Sequence, residues 1–210
     1  MSTGHPSPHL ILASASPRRR EILTALGIAF ETVVPDVREV TEGVPEEVVL
    51  ENARRKAAAG LEDAGTGAVA LGVDTEVVID GRLLGKASDR AQAREHLEAL
   101  AGRVHTVLSG LVLYRASGPG AEPAGRSGVA RSEVTFRDLD RGTLETYLAS
   151  GEWRDRAGAY AIQGLGSILI ERVEGDFSNV VGLPVRLLME LAPELLGQVG
   201  NPARGSRPDY

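Results

Sequence analysis

Four short stretches of the 210-residue sequence gather side chains that could do chemistry. In the first, Ser14-Ala15-Ser16-Pro17-Arg18-Arg19-Arg20 follows a short apolar run. Serine then proline is a helix-start signal, with Ser16 as N-cap and Pro17 in the first helical position. A helix N-terminus offers free N–H groups and the positive end of the macrodipole, so it attracts phosphate. Three arginines there oppose the dipole, and an anion held in the turn would offset that cost. The plainer reading is a solvated basic turn. The second stretch is Gly72-Val73-Asp74-Thr75, a carboxylate at the end of an apolar strand, where α/β proteins place reactive groups. Asp74 could bind a divalent metal, deprotonate water, or do both; the plainer reading is an aspartate capping a turn. The third, Gly81 to Ala87, approaches a Walker A loop. Its first glycine is one residue too close, and Ala87 stands where Ser or Thr would hold Mg²⁺, so a P-loop nucleotidase is disfavoured. Lys86 can still meet phosphate as a flexible point charge, or be a surface lysine after a hairpin. The fourth, Arg156 to Gly166, is dense in glycine and alanine, which permits close backbone approach to a ligand. Gln163 carries both a donor and an acceptor and could read a base edge; otherwise this is a tight structural loop with Tyr160 packed inside.

Composition narrows the chemistry further. There is no cysteine, which excludes thiol nucleophiles, disulfides, Cys-ligated zinc and iron–sulfur clusters. The four histidines, His5, His9, His96 and His105, show no zinc-ligand spacing. A net charge of -6 argues against a general nucleic-acid binder but not against a local basic pocket for a small anion. No stretch nears the roughly 20 apolar residues that span a bilayer, and the only early apolar run precedes its positive charges, so a cytoplasmic protein is expected. Of the 23 basic residues only Lys56 and Lys86 are lysines.

The elements that must position these stretches can be read from periodicity and turn chemistry. Strands are expected at about 9–13, 30–34, 68–73, 77–79, 83–84, 104–114, 128–137 and 167–173. Asp80-Gly81 suits a type I′ hairpin turn. Helices are expected from Ser16 to Gly27, from Pro45 to about Asp63, from Asp89 to about Leu100, from Asp140 to Ala149 and from Pro184 to Leu196. In the second of these Val48, Val49, Ala53 and Ala57 face inward. Residues 117–125 read as a flexible hairpin loop and 197–210 as a disordered tail. Alternating strands and helices with intervening hairpins give an α/β fold with a mixed sheet.

Taken in order, the segments LILASASPRRREIL, ALGVDTEVVIDGRLLGK, AGAYAIQGLGS and NVVGLP resemble the Maf family of nucleotide pyrophosphatases, over nearly the whole chain from Leu10 to about Leu196. The resemblance implies an elongated mixed α/β fold of the Maf/ITPase-like kind, one catalytic domain over 1–196 with two lobes and a central cleft. It implies hydrolysis of nucleoside triphosphates to the monophosphate and pyrophosphate, aided by a divalent cation such as Mg²⁺ or Mn²⁺. Asp74 then matches the catalytic carboxylate. Ser14, Arg18, Arg19, Lys56 and Lys86 match phosphate-binding positions, and Glu39 with Asp74 the metal site. Arg18, Thr75 and Gln163 occupy the positions at which subgroups differ and match the branch that cleaves dTTP and UTP rather than 7-methyl-GTP. Broader or modified-nucleotide hydrolysis, and inhibition of septum formation through protein binding, are the alternatives. The expected partners are the nucleotide and a second copy of the chain, with no nucleic acid and no membrane. Three residues depart from the family pattern: Ala87 where proline is common, Arg156 where lysine is usual, and Glu76, an added negative charge.

Overall fold

A computed structural model describes residues 9–117, 124–197 and 199. The first strand is β1 (Leu10–Ala13), all four residues buried, as a short apolar run without polar alternation requires. β1 lies between two parallel neighbours, β2 (Glu31–Val33) and β3 (Val69–Ile79). β3 then pairs antiparallel with β4 (Arg82–Leu84) and with β5 (Val104–Arg115), which pairs with β6 (Ala124–Phe136) and that with β7 (Ile170–Glu174). Among the described residues the sheet has seven strands in the order β2-β1-β3-β5-β6-β7, with β4 beside the far half of β3. The sheet is mixed, as expected.

Turn chemistry fixes the register where the sequence carries it. Asp80 and Gly81 both take positive φ, 51° and 73°, the conformation a type I′ turn demands. Helix α1 (Pro17–Ala25) ends at Leu26, and Gly27 turns the chain with φ of 72°. Helices α3 (Arg90–Leu100) and α4 (Arg141–Ser150) start under Asp89 and Asp140, whose side chains accept from the N–H groups of Gln92 and Thr143.

Two apolar cores share this sheet. Leu10, Leu12, Leu23, Val73, Leu111 and Leu188 belong to one, under α1 and α6 (Val185–Leu191). Val77, Ile79, Leu97, Val107, Phe136 and Tyr147 belong to the other, against α3 and α4. β3 runs through both, and Asp74, Thr75 and Glu76 fall between them. Helix α2 (Pro45–Ala59) covers the opposite face of the sheet. It comes close because two glycines leave room. A Cβ on Gly72 would lie 2.1 Å from the carbonyl oxygen of Ala53, and one on Gly110 would lie 2.2 Å from that of Val49. Gly110 is the cross-strand partner of Asp74, so this approach sets the helix directly over that carboxylate.

Four expectations need correction. Asp74 is not at a strand end: β3 continues to Ile79, because β5 pairs with it across the whole length. Ser16 is the N-cap residue of α1 by backbone, but its side chain makes no capping bond; the hydroxyl of Ser14 accepts from the Ser16 N–H instead. The strand expected from 167 begins at Ile170, since 164–169 winds into a 3₁₀ turn. The last helix is interrupted at Ala192 and resumes as a 3₁₀ turn at Pro193–Gly197, with Leu188 and Leu195 still buried. A short helix, α5 (Phe177–Val181), under an Asp176 cap was not anticipated. The tail beyond Gly197, Val199 apart, and residues 118–123 of the β5–β6 connection lie outside the described residues.

Gly110→Ala should destabilise the protein by about 1–3 kcal/mol, the usual cost of overpacking, because the new methyl meets rigid helix backbone. A lower urea midpoint with unchanged slope is the expected reading.

Candidate active site

β1 pairs with β3 only as far as Gly72, and β4 joins β3 only at Val77. Between these points Val73–Glu76 has a neighbouring strand on one side alone, β5. The opening is the floor of a cavity of about 770 Å³, within the range of small-molecule sites. The Ser14–Arg19 turn closes one end. Gly85 and Lys86 flank the other, 155–163 forms a wall, and Glu39 and Lys56 lie over the floor. All nine residues singled out from the sequence, Ser14, Arg18, Arg19, Glu39, Lys56, Asp74, Thr75, Lys86 and Gln163, line this one cavity.

Asp74 is 5% exposed, and its two oxygens have different partners. Oδ1 lies 2.5 Å from the Lys56 ammonium, and Oδ2 accepts from the Asn52 amide at 3.0 Å. Lys56 also lies 2.5 Å from Glu39 Oε1, so one cation bridges two carboxylates. Asn52 exchanges two further bonds with the backbone of Val40, 2.7 and 2.9 Å, which pins the loop that carries Glu39. Asn52 was missed in the sequence. The signal was there: it sits four residues before Lys56 on the apolar stripe of α2, and residues at that spacing share a helix face.

The arginines of the first turn divide. Arg20 is exposed and Arg18 half-buried. Burial, then the charge of Arg156, lowers the Arg18 pKa, as crowded cations facing a cavity should. Arg19 is buried, and burial brings its pKa down to about 10. Its guanidinium donates to the Gly182 carbonyl (2.8 Å), Ser14 Oγ (3.0 Å) and Thr75 Oγ1 (3.2 Å). Thr75 Oγ1 also lies 2.8 Å from Ser109 Oγ. Arg19 and Thr75 thus line the cavity while tying the first turn, β3, β5 and the segment before α6 together.

The wall that carries Gln163 is held from below. Glu152 accepts from the N–H groups of Leu165 and Gly166, both at 3.1 Å, fixing the 3₁₀ turn that follows Gln163. Gln163 is exposed at the rim, and its side chain makes no capping bond. Tyr160 is packed, as expected: its hydroxyl lies 2.9 Å from His105 Nε2, and both rings stand edge-on to Phe136.

Glu76 differs from its neighbours. Its Oε2 is shielded from solvent and has no hydrogen-bond partner. Burial first, then the charges of Asp74 and Glu39, push its pKa up to about 8. The pair Glu39 and Asp74 supplies the oxygen donors that a hard divalent cation prefers. Among the described residues no group of three or more acidic or imidazole side chains is placed to hold a metal ion. Two carboxylates are what an ion of the Mg²⁺ type takes from a protein when water and phosphate complete its shell, and Glu39 and Asp74 are of that kind.

Comparison with known proteins places this geometry in context. The family model described as Maf-like protein matches residues 9–195. A dTTP/UTP pyrophosphatase of Moorella thermoacetica is 45% identical over 87% of this chain and 92% of its own. Proteins of the same name from Thermococcus gammatolerans and Dictyoglomus thermophilum are 43% and 42% identical, over 87% and 89% of this chain and 94% and 95% of theirs. Among solved structures, the Ham1 protein of Staphylococcus aureus overlaps 60% of this chain and 72% of its own at 17% identity and a TM-score of 0.38, too loosely to add to the fold described above.

The aromatic cluster gives a pH prediction. Burial brings the His105 pKa from 6.5 down to about 4. The unfolded chain therefore binds a proton in this window that the folded one refuses. Stability should be complete above pH 6.5 and fall as the pH drops towards 4, by roughly 3 kcal/mol. Urea midpoints across this range should fall more steeply for the wild type than for His105→Gln.

Proposed function

The chain belongs to the Maf family, and from that premise we propose that it hydrolyses nucleoside triphosphates, dTTP and UTP foremost, to the monophosphate and pyrophosphate. One observation carries the reading: a buried carboxylate, Asp74, lies on the floor of a cavity whose opposite sides hold Arg18 and Lys86. A triphosphate needs this pairing of a cationic cradle with a proton acceptor. The names of the Moorella, Thermococcus and Dictyoglomus relatives support the same substrates.

In this reaction water adds to the α-phosphorus, the bond from that phosphorus to the α–β bridging oxygen breaks, and pyrophosphate leaves with the bridging oxygen. Asp74 takes the proton. Each of its oxygens has one hydrogen-bonding partner, Lys56 or Asn52, and a carboxylate has about four acceptor sites, so lone pairs remain for a water. Lys56 and Asn52 hold the carboxylate in one orientation. Arg18 and Lys86 neutralise the phosphates and the charge that builds on the leaving group. Arg19 gives three of its five N–H donors to protein, which keeps Ser14 and Thr75 in place, and has two left for phosphate. A divalent cation held by Glu39 and Asp74 would add Lewis-acid stabilisation to the phosphoryl oxygens. Gln163 at the rim offers donor and acceptor to the base. Arg156 keeps a positive charge in the wall, though its Nε donates to the Glu152 carbonyl. We place the reaction in the cytoplasm, where free nucleoside triphosphates are found. Among the described residues no helix is long and apolar enough to cross a membrane.

With dTTP or UTP and Mg²⁺ or Mn²⁺, the wild type should release pyrophosphate; release of inorganic phosphate alone would overturn cleavage at the α-phosphorus. Asp74→Asn should lower kcat by about 10²–10⁴, the usual contribution of a positioned base, and near-normal turnover would remove Asp74 from that role. Gln163→Glu should change the ratio of kcat/KM between pyrimidine and purine triphosphates, measured across a panel of canonical and methylated nucleotides.

A further inference from the structure

We propose that Glu152 is a positioning residue for base selection. By capping the turn that follows Gln163, it leaves the Gln163 amide free to read the base. The proposal rests on the reading just given, in that Gln163 faces the nucleotide base, and it assigns the residue that makes Gln163 available.

The 3₁₀ turn Gly164–Leu169 begins with N–H groups that have no partner inside the turn. Gln163 stands in its N-cap position, and an N-cap side chain ordinarily accepts from the second or third N–H. The Gln163 side chain makes no such bond. The two N–H groups concerned, those of Leu165 and Gly166, donate instead to Oε1 and Oε2 of Glu152, thirteen and fourteen residues back. An ionised acceptor makes the stronger hydrogen bond, so the carboxylate displaces the local side chain from this task. It rests directly against Gly164: a Cβ there would lie 2.9 and 3.1 Å from its two oxygens. Gly164 also takes a φ of 67°, so glycine serves both the turn and the close approach.

Glu152 can hold the wall because it stands on fixed ground. Gly151 ends α4 in the left-handed conformation, and the next residue but one, Trp153, is buried with its indole N–H donating to the Leu148 carbonyl at 3.1 Å. Further anchors grip the wall before Gln163. The Gly158 N–H donates to the Leu84 carbonyl at 2.6 Å, and the Ala161 N–H to the Tyr147 hydroxyl at 3.0 Å. Asp155 and Ala159, neither of them glycine, are held at a φ of 57°. Such conformations cost free energy and persist where the surroundings impose them. The wall is therefore pre-organised, and Glu152 is the anchor next to Gln163.

Without this carboxylate two N–H groups would lack an acceptor, and the Gln163 side-chain oxygen stands at the position that serves them. The amide would turn to the backbone, and its donor and acceptor would be lost to the base. The phosphate end would be spared, since Arg18 is carried by α1, Asp74 by β3 and Lys86 by the segment after β4.

The test compares pyrophosphate release from dTTP and from dGTP by wild type, Glu152→Ala, Glu152→Gln, Gln163→Ala and the double variant Glu152→Ala/Gln163→Ala. Each is first checked for native circular dichroism and a cooperative melt. Glu152→Ala should lower the dTTP-to-dGTP ratio of kcat/KM about tenfold, chiefly through a higher KM for dTTP. The inhibition constant of inorganic tripolyphosphate, which has no base, should not change. Glu152→Gln keeps one acceptor oxygen and should give a smaller fall, which keeps the test decisive if the alanine variant folds poorly. In the double variant the ratio should equal that of Gln163→Ala alone, because the two residues act as a unit. An unchanged ratio in a folded variant would overturn the proposal. So would an equal loss towards both nucleotides and tripolyphosphate, the mark of a merely structural role, or additive effects in the double variant. A wild type that releases no pyrophosphate removes the reaction alone, and the ratio of Kd for dTTP and dGTP, from calorimetry, then gives the same comparison. A wild type that fails to distinguish the two nucleotides in either measurement removes the role of Glu152.

Discussion

A carboxylate buried on the face of a β-sheet is the constraint to which the surrounding structure answers. Asp74 can be there only if both of its oxygens are satisfied, because an unpaired buried acid costs several kcal/mol. The partners must come from a helix pressed onto the sheet more closely than ordinary side chains allow. Gly72 and Gly110 make that approach possible, and α2 then delivers Asn52 and Lys56 one turn apart. Asn52 passes the constraint outward through Val40 to the loop that holds Glu39. The local chemistry of one side chain thus dictates the packing of a helix, the identity of two glycines and the course of a loop.

A second network does for the opposite face what α2 does for the first. Thr75 and Ser109 are small polar residues placed where the two apolar cores meet, and Arg19 reaches in between to satisfy them. Its planar fork serves Ser14, Thr75 and Gly182 at once, a geometry that a lysine could not reproduce. An arginine in the first turn of a helix looks like an anion ligand from sequence, and Arg18 lines the cavity with its guanidinium half-buried. Its neighbour Arg19 lines the same cavity and is also bonded into the scaffold. The distinction depends on which way each side chain leaves the helix, and three consecutive arginines do not encode it.

What could be read from the sequence follows from the range of the forces involved. Asp80-Gly81, Gly27 and the Asp89 and Asp140 caps act within a few residues, and the elements they begin or end came out where expected. The composition of β1 required burial, and β1 is buried. The family motifs brought nine residues to one cavity, because each motif sits on an element that borders the opening in the sheet. Long-range effects were illegible. Asp74 seemed to end a strand because its apolar run ends there, yet β5 carries the ladder onward. Asn52 and Glu152 owe their roles to partners twelve to twenty-two residues away. The break at Ala192 and the helix at Phe177–Val181 did carry local signals, Pro193 after the one and the Asp176 cap and Gly182 around the other, but each is too short to stand out from the apolar pattern.

The opening between β1 and β4 has a consequence beyond catalysis. An unpaired length of strand is ordinarily a template on which another chain can add itself, and natural sheets defend such edges with charge, shortness or cover. Here the exposed length is only Val73–Glu76, recessed between the first turn and the β3–β4 hairpin, and two of its four side chains are acids. The acids on the cavity floor thereby also bar an intruding strand. The fold can keep a hole in the middle of its sheet without becoming sticky, and a substitution that neutralised both acids would remove that guard along with the chemistry.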